Sequence, residues 1–396
     1  MSKQLLLSAL SYLKEVMNAM VDTVKLLIPV HNPLVFDGSR FMPITLEQLV
    51  NSRGYGKTFL NPSPTYAKMG KYMPRLTMYK RVRKFGAVTY ELAVEFSAPK
   101  MLFGNNFDEL EEKDFDALLT ALQTALHELL GNRFFKPQLA HADISAWHPS
   151  KNIVFLDYTS CQTILNTMGK LDVSKTYDFQ KTDFRDGHVV HIHANSLDTA
   201  FYDKMADLLK AKKSNKRAFE KDSSVQLNLL EGLSEYRPME VFRYEVRFVG
   251  RASIKRAYPD LERWTFESLF NMKLCQNTLL KHWKKLTANV DMLALDVKQP
   301  YELLQNYLEA NDDVTPQAAL AAVAGMLIAS QAGVVGLRNT LEARYGKQAW
   351  YRIKPLLNAP QAHRYTAFVH IDEALQRFTP TKMSEFLSNI ENTGNL

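Results

Sequence analysis

The residue in this chain best suited to nucleophilic chemistry is Tyr202, which stands two places before Lys204 in Ala200-Phe-Tyr202-Asp-Lys204. A phenol near a cation ionises at lower cost, and a tyrosine that attacks a phosphodiester keeps the bond energy as a phosphotyrosine, so a cut strand can be rejoined. Such an attack needs charge neutralisation around the phosphate. Three acids, Glu95, Asp143 and Glu245, each lie on the polar side of an alternating run, and Arg243 and Arg247 flank the last of them. Side chains at i and i+2 of a strand share a face. Leu92, Val94 and Phe96 therefore oppose Glu91 and Glu95; Ala140, Ala142 and Ile144 oppose His141, Asp143 and Ser145; Phe242, Tyr244, Val246 and Phe248 oppose Arg243, Glu245 and Arg247.

If these runs share one antiparallel sheet, the three acids converge on its open side. Close carboxylates repel one another unless a cation intervenes, and hard oxygen ligands favour Mg²⁺ or Mn²⁺. The plainer alternative is three solvent-facing acids paired with arginines. His191-Ile-His193 puts two imidazoles on one strand face as well, an alternative set of metal ligands or of groups just behind the ligands.

Those side chains require strands over 24–30, 76–84, 88–96, 138–146, 188–193, 197–202 and 239–249, with hairpins at Phe85-Gly86-Ala87 and Asn195-Ser196. Helical spacing appears at 45–50, 109–130, 163–168 and 205–212, and the first twenty residues read as an amphipathic helix. Beyond about 261 only helices are expected, at 266–286, 300–308, 316–332, 337–345 and 371–389. The fold class is then α+β: an antiparallel sheet covered by helices on one face in 1–259, followed by a smaller all-helical C-terminal domain in 260–396. Asn51-Ser-Arg-Gly-Tyr-Gly-Lys57-Thr58 imitates a phosphate-binding loop but lacks its first glycine.

At 396 residues the chain is long enough for two domains, and its composition is that of a globular protein. The net charge of +7 is compatible with a polyanionic partner. Basic side chains cluster at Lys210, Lys212, Lys213, Lys216 and Arg217, and again at Arg251, Lys255 and Arg256. Two widely separated cysteines exclude a disulfide framework and a zinc ribbon, and point to a reducing cytoplasm. The most apolar stretch, around 318–335, includes Ser330 and Gln331 and reads as a buried helix, so no membrane is expected as a partner.

Four segments resemble the replication endonucleases of filamentous phages. They are Ala93-Val-Glu95-Phe-Ser-Ala-Pro99-Lys-Met-Leu-Phe-Gly104-Asn-Asn, His141-Ala-Asp143-Ile-Ser-Ala, Ala200-Phe-Tyr202-Asp-Lys204-Met-Ala-Asp-Leu208 and Phe242-Arg-Tyr-Glu245-Val-Arg247. They occur in the family's order over roughly residues 90 to 250. The resemblance implies a rolling-circle initiator in a bacterial host cell. Tyr202 would nick the plus strand of a replication origin, retain a 5′-phosphotyrosyl link and free a 3′-OH. Glu95, Asp143 and Glu245 would hold Mg²⁺ or Mn²⁺, and Lys204, Arg243 and Arg247 would stabilise charge. His141 stands where the family has arginine. Host helicase and polymerase and a second copy of the chain would be partners besides DNA. His191-Ile-His193 also resembles the His-hydrophobic-His motif of another nickase superfamily. A competing reading is a non-catalytic DNA-binding replication factor stacking bases on Trp147, Tyr158 and Phe184; a second is a metal-dependent hydrolase with no covalent step.

Overall fold

A computed structural model describes residues 21–36, 41, 46–60, 71–82, 86–131, 134–157, 159–173, 181–184, 188–194, 196–207, 239–293, 299–358 and 365–385. The expected N-terminal helix lies outside them. So do the basic residues Lys210, Lys212, Lys213, Lys216 and Arg217, and Tyr158.

The strands are β1 (Val21–Val30), β2 (Gly56–Leu60), β3 (Arg75–Val82), β4 (Val88–Ser97), β5 (Asp143–Phe155), β6 (Lys181–Phe184), β7 (Val189–Ala194), β8 (Leu197–Asp203) and β9 (Glu240–Val249). All nine join one antiparallel sheet in the order β2-β3-β4-β1-β5-β9-β8-β7-β6. The helices are α1 (Leu46–Asn51), α2 (Ala98–Phe103), α3 (Phe115–Leu130), α4 (Lys136–Ala140), α5 (Cys161–Met168), α6 (Arg251–Ala257), α7 (Phe266–Leu269), α8 (Met272–Leu286), α9 (Pro300–Glu309), α10 (Pro316–Tyr345), α11 (Lys347–Leu357) and α12 (Thr366–Arg377). The chain is therefore α+β, with helices at its C-terminal end.

The apolar face of the central strands sets the core. Phe201 of β8 stacks on Tyr244 of β9 with ring centroids 4.8 Å apart, and Trp283 of α8 closes over both. Phe368 of α12 packs on Trp283 in turn, at 5.1 Å. Further along, Trp147 of β5 stacks on Phe248. The boundary expected near Pro259 thus falls inside a continuous apolar cluster running from Val21 to Phe378, in which α8 and α12 cover the same sheet as the earlier helices. Helices α9, α10 and α11 pack on one another. They are tied to the body where Gly333, at φ +77°, bends α10 and Val334 N–H donates to Lys170 O at 2.9 Å. Among the described residues α10 is the one helix long and apolar enough to cross a membrane; Ala319, Ala322, Met326, Ala329 and Val334 on it are buried.

Three departures from sequence periodicity affect the site. The run 138–146 is not one strand: Pro137 starts the short helix α4, and β5 begins only at Asp143. Proline in the first helical turn costs no hydrogen bond, which favours a helix start over a strand there. Helix α3 starts at Phe115 rather than Glu109, behind a capping box between Glu111 and Asp114. The segment before it turns on Gly104, whose φ of +73° suits glycine, and runs along the edge of β5. Third, the helix expected over 266–286 breaks before Asn271, whose side chain accepts from Leu274 N–H at 2.9 Å and restarts it as α8.

Among the described residues, β1 pairs with β5 as far as Val21↔Pro149. Glu109 meets the edge of β5 beyond that point. Its Oε1 accepts from Asn152 N–H at 2.5 Å, and its Oε2 meets Lys151 Nζ at 2.7 Å and Thr381 N–H at 2.8 Å. Lys151 and Glu109 are 3% and 4% exposed, so neither can fall back on water. Glu109→Ala strands a buried ammonium and is expected to cost about 3–5 kcal/mol in urea unfolding. A loss of under about 1 kcal/mol, typical of a surface pair, would contradict this view of the edge.

Candidate functional site

The register of three ladders assembles one polar face. Tyr202 lies opposite Arg243, Ala200 opposite Glu245 and Asp198 opposite Arg247 across β8 and β9. On the other side of β8, His193 pairs with Asp198 and His191 with Ala200. Across β9, Ser150 and Asn152 of β5 face Glu245 and Arg243. Ala200 is the one small residue in this row.

At the centre is a buried carboxylate. Glu245 is 2% exposed; its Oε1 accepts from Tyr202 Oη at 2.6 Å and from Arg243 Nε at 2.7 Å. Its Oε2 accepts from Arg247 Nε at 2.8 Å and contacts Arg247 Nη2 at 2.6 Å. Burial alone would raise the Glu245 carboxyl, but the guanidiniums of Arg247 and Arg243 and the Tyr202 hydroxyl outweigh it and hold it well below the ordinary value. Tyr202 responds in the opposite sense: burial first, then the Glu245 charge, push its phenol well above its ordinary value.

The two arginines differ. Arg243 is 1% exposed and saturated, giving Nη2 to Asp22 Oδ1 at 3.0 Å and to Ser150 Oγ at 3.2 Å. Its Nη1 donates to Asn106 O at 2.9 Å and Asn152 Oδ1 at 3.0 Å. Arg247, a quarter exposed, reaches from Glu245 to Asp198 Oδ2 at 3.3 Å.

Lys204 is fully buried just past the end of β8, with Nζ 5.8 Å from the centre of the Tyr202 ring and no hydrogen-bond partner among the described residues. Burial, and after it the charge of Arg243, lower its pKa to about 7.

Sequence periodicity expects Glu95, Asp143 and Glu245 around one cation, and the structure does not bring them together. Glu95 is held by Lys25 at 3.3 Å and Arg75 at 3.9 Å. It lines an open cleft of about 370 Å³ with Lys25, Arg81, Ser145 and His148. Asp143, half exposed at the start of β5, is paired with Arg251. The physical cause is distance within the sheet: Glu95 on β4 lies three strands from Glu245 on β9, and Asp143, at the start of β5 opposite Leu27, lies seven residues before Ser150, the partner of Glu245. Lys25 faces Ala146 while Leu26 faces Ile144, so Ser145 is an extra residue, a bulge that brings His148, Ser150 and Asn152 to the open face beyond it. Each acid has its own cations, so the set does not fit Mg²⁺ or Mn²⁺. His141 is also away from the site, exposed and 3.2 Å from Glu267. Trp147 is wholly buried against Phe248 and has no free face for a base. Of the expected DNA contacts, Arg251, Lys255 and Arg256 lie on α6, where Lys255 sits over the Trp264 ring at 4.4 Å.

His191 and His193 do come together with a third ligand. Their Nδ1 atoms lie 3.3 and 3.2 Å from Asp198, and the rings stack 5.5 Å apart. Burial raises the Asp198 carboxyl, but the His191 hydrogen bond and the Arg247 charge bring it below its ordinary value. Among the described residues, His191–His193–Asp198 is one of two groups of three whose candidate ligand atoms lie within 4.8 Å of one another. Sequence reasoning missed Asp198, though the hairpin register around Asn195-Ser196 puts it opposite His193. It missed Asp22 as well, which has no signal in the alternation of β1.

Comparison of the chain with protein-family models, with characterised proteins and with solved structures gives no match.

The buried Lys204 makes a stability test. Its folded-state pKa lies below the unfolded one, so the folded chain carries the full penalty below about 7. The penalty fades as pH rises towards the ordinary lysine value of about 10.4. Lys204→Met is expected to raise the unfolding temperature at pH 6 and much less at pH 10. An equal gain at both pH values would show that the ammonium is not desolvated.

Proposed function

We propose that this protein is a sequence-specific, metal-dependent single-strand DNA endonuclease and strand transferase that initiates rolling-circle replication, with Tyr202 as its nucleophile. The observation that carries the reading is the Tyr202 Oη–Glu245 Oε1 hydrogen bond of 2.6 Å, on the same sheet face as two arginines and a His–His–Asp group.

Glu245 holds the phenolic hydrogen bond and is positioned to take the proton as Oη attacks phosphorus. The P–O3′ bond breaks, a Tyr202–O–P bond forms, and the net proton transfer runs from the phenol to the leaving 3′ oxygen. In the resting site Glu245 is too acidic for this, because two guanidiniums neutralise it. Arg247 is the one that can answer a phosphate, being a quarter exposed. Drawing Arg247 towards the substrate leaves Glu245 more basic, which couples DNA binding to activation of Tyr202. Arg243 is locked by its other partners and orients Glu245 without touching DNA.

Two imidazoles and a carboxylate suit Mn²⁺ better than Mg²⁺. A divalent cation held by His191, His193 and Asp198 supplies, when bound, a Lewis-acid contact to a phosphate oxygen. The cleft beside the site, lined by Lys25 and Arg81, adds basic side chains for a passing strand.

A non-catalytic DNA-binding replication factor is the second reading, favoured by one observation: Tyr202 is only 9% exposed. Tyr202→Phe separates the two. Nicking of a single-stranded origin oligonucleotide in Mn²⁺ is expected to disappear while binding to the same oligonucleotide stays within about threefold, a change under 1 kcal/mol. Undiminished nicking by Tyr202→Phe would overturn the reading.

A further inference from the structure

The second group of metal-type ligands lies on the opposite face of the sheet from Tyr202. Cys161 Sγ and one carboxylate oxygen each of Asp203 and Glu240 lie within 4.8 Å of one another. They come from three elements. Cys161 is the first residue of α5, Asp203 the last of β8 and Glu240 the first of β9. Asp203 pairs with Phe242 and Glu240 with Phe155, so both acids point to the helix-covered side. Cys161 is fully buried and Asp203 is 9% exposed.

A fourth candidate stands beside Asp203. His188 ends the turn before β7, and its carbonyl accepts from Asp203 N–H at 3.1 Å, which fixes the two residues side by side. Its Nδ1 is buried, makes no hydrogen bond among the described residues, and lies 3.7 Å from Asp203 Oδ2. The carboxylates keep an oxygen available. Asp203 Oδ1 accepts from Ala206 N–H at 2.9 Å, leaving Oδ2 towards His188, while Glu240 accepts a long 3.4 Å bond from Cys161 N–H at Oε2 and a hydrogen bond from the Cys161 thiol.

Two carboxylates and a thiol gathered in a poorly hydrated place, with a single imidazole as the nearby base, are short of positive charge. From this juxtaposition we infer that Cys161, His188, Asp203 and Glu240 form a four-ligand structural site for a zinc-class cation. A thiolate and an imidazole select Zn²⁺ over Mg²⁺ or Mn²⁺, and four protein ligands leave no open position for substrate. Tetrahedral zinc, with bonds of about 2.0–2.3 Å, needs ligand atoms roughly 3.3–3.7 Å apart. Cys161, Asp203 and Glu240 already gather within 4.8 Å, and the His188 ring, 3.7 Å from Asp203 Oδ2, would turn towards them on binding. Binding displaces the thiol proton to solvent. The cation would tie α5 to the ends of β8 and β9, the strands that carry Tyr202 and Glu245. The inference does not depend on any nicking activity.

Cobalt(II) is the probe, because thiolate–cobalt charge transfer absorbs in the near ultraviolet and reports cysteine ligation alone. The full chain titrated with Co²⁺ is expected to develop that band together with the visible bands of a tetrahedral ion, and Zn²⁺ should displace both. The His191–His193–Asp198 group has no thiol and cannot produce the charge-transfer band. Cys161→Ser should abolish it and Cys275→Ala should keep it at full strength. If Cys161→Ser does not fold, Cys275→Ala still decides, since Cys161 is then its only thiol. No thiolate band in the full chain, a band surviving Cys161→Ser, or a band lost in Cys275→Ala would each overturn the assignment.

Discussion

The polar face of this protein depends on keeping one buried carboxylate charged. Glu245 has almost no access to water, and its ionised form persists because guanidiniums from the same strand, two residues away on either side, grip both of its oxygens. Residues i and i+2 of a strand share a face, so Arg243-Tyr-Glu245-Val-Arg247 builds this clamp from five consecutive positions. The neighbours follow from it. Arg243 needs further acceptors, which Asp22, Asn106, Asn152 and Ser150 provide from two strands and the loop after α2. Tyr202 is oriented because its hydroxyl donates a hydrogen bond to the same carboxylate.

The sheet has two chemically distinct sides. Aromatic rings of β5, β8 and β9 pack against α8 and α12 on one, while the other carries Tyr202, Glu245, the arginines and the His–His–Asp group. Asp203 and Tyr202 are adjacent in the chain and point to opposite sides, so an ion on the covered side would bear directly on the strand that presents the phenol. The loop between Gly104 and Glu109 links the two systems, since Asn106 holds Arg243 and Glu109 holds Lys151 and the edge of β5.

Alternation made much of this legible. Strands β3, β4, β7, β8 and β9 stand within a residue or two of where periodicity puts them, and so does the sharing of a face by Arg243, Glu245 and Arg247. The separation of Glu95, Asp143 and Glu245 was not legible, because alternation tells which face a side chain takes and not how far along and across the sheet two side chains fall. Pro137 was the available hint that 138–146 is not one strand. Asp22 and Glu109 escaped for another reason: each is fixed by partners far away in sequence, and a single acid shows no periodicity. Asp198 was within reach, since the tight turn at Asn195-Ser196 already sets its register against His193.

The proposed chemistry turns on one hydroxyl group, that of Tyr202. It is tested most directly by incubating the full chain with a suicide origin oligonucleotide in Mn²⁺, digesting the product and mapping the DNA-linked peptide by mass spectrometry. The account expects one adduct, with the 5′-phosphate carried on Tyr202. An adduct on any other residue, or nicking with no covalent product, would contradict it.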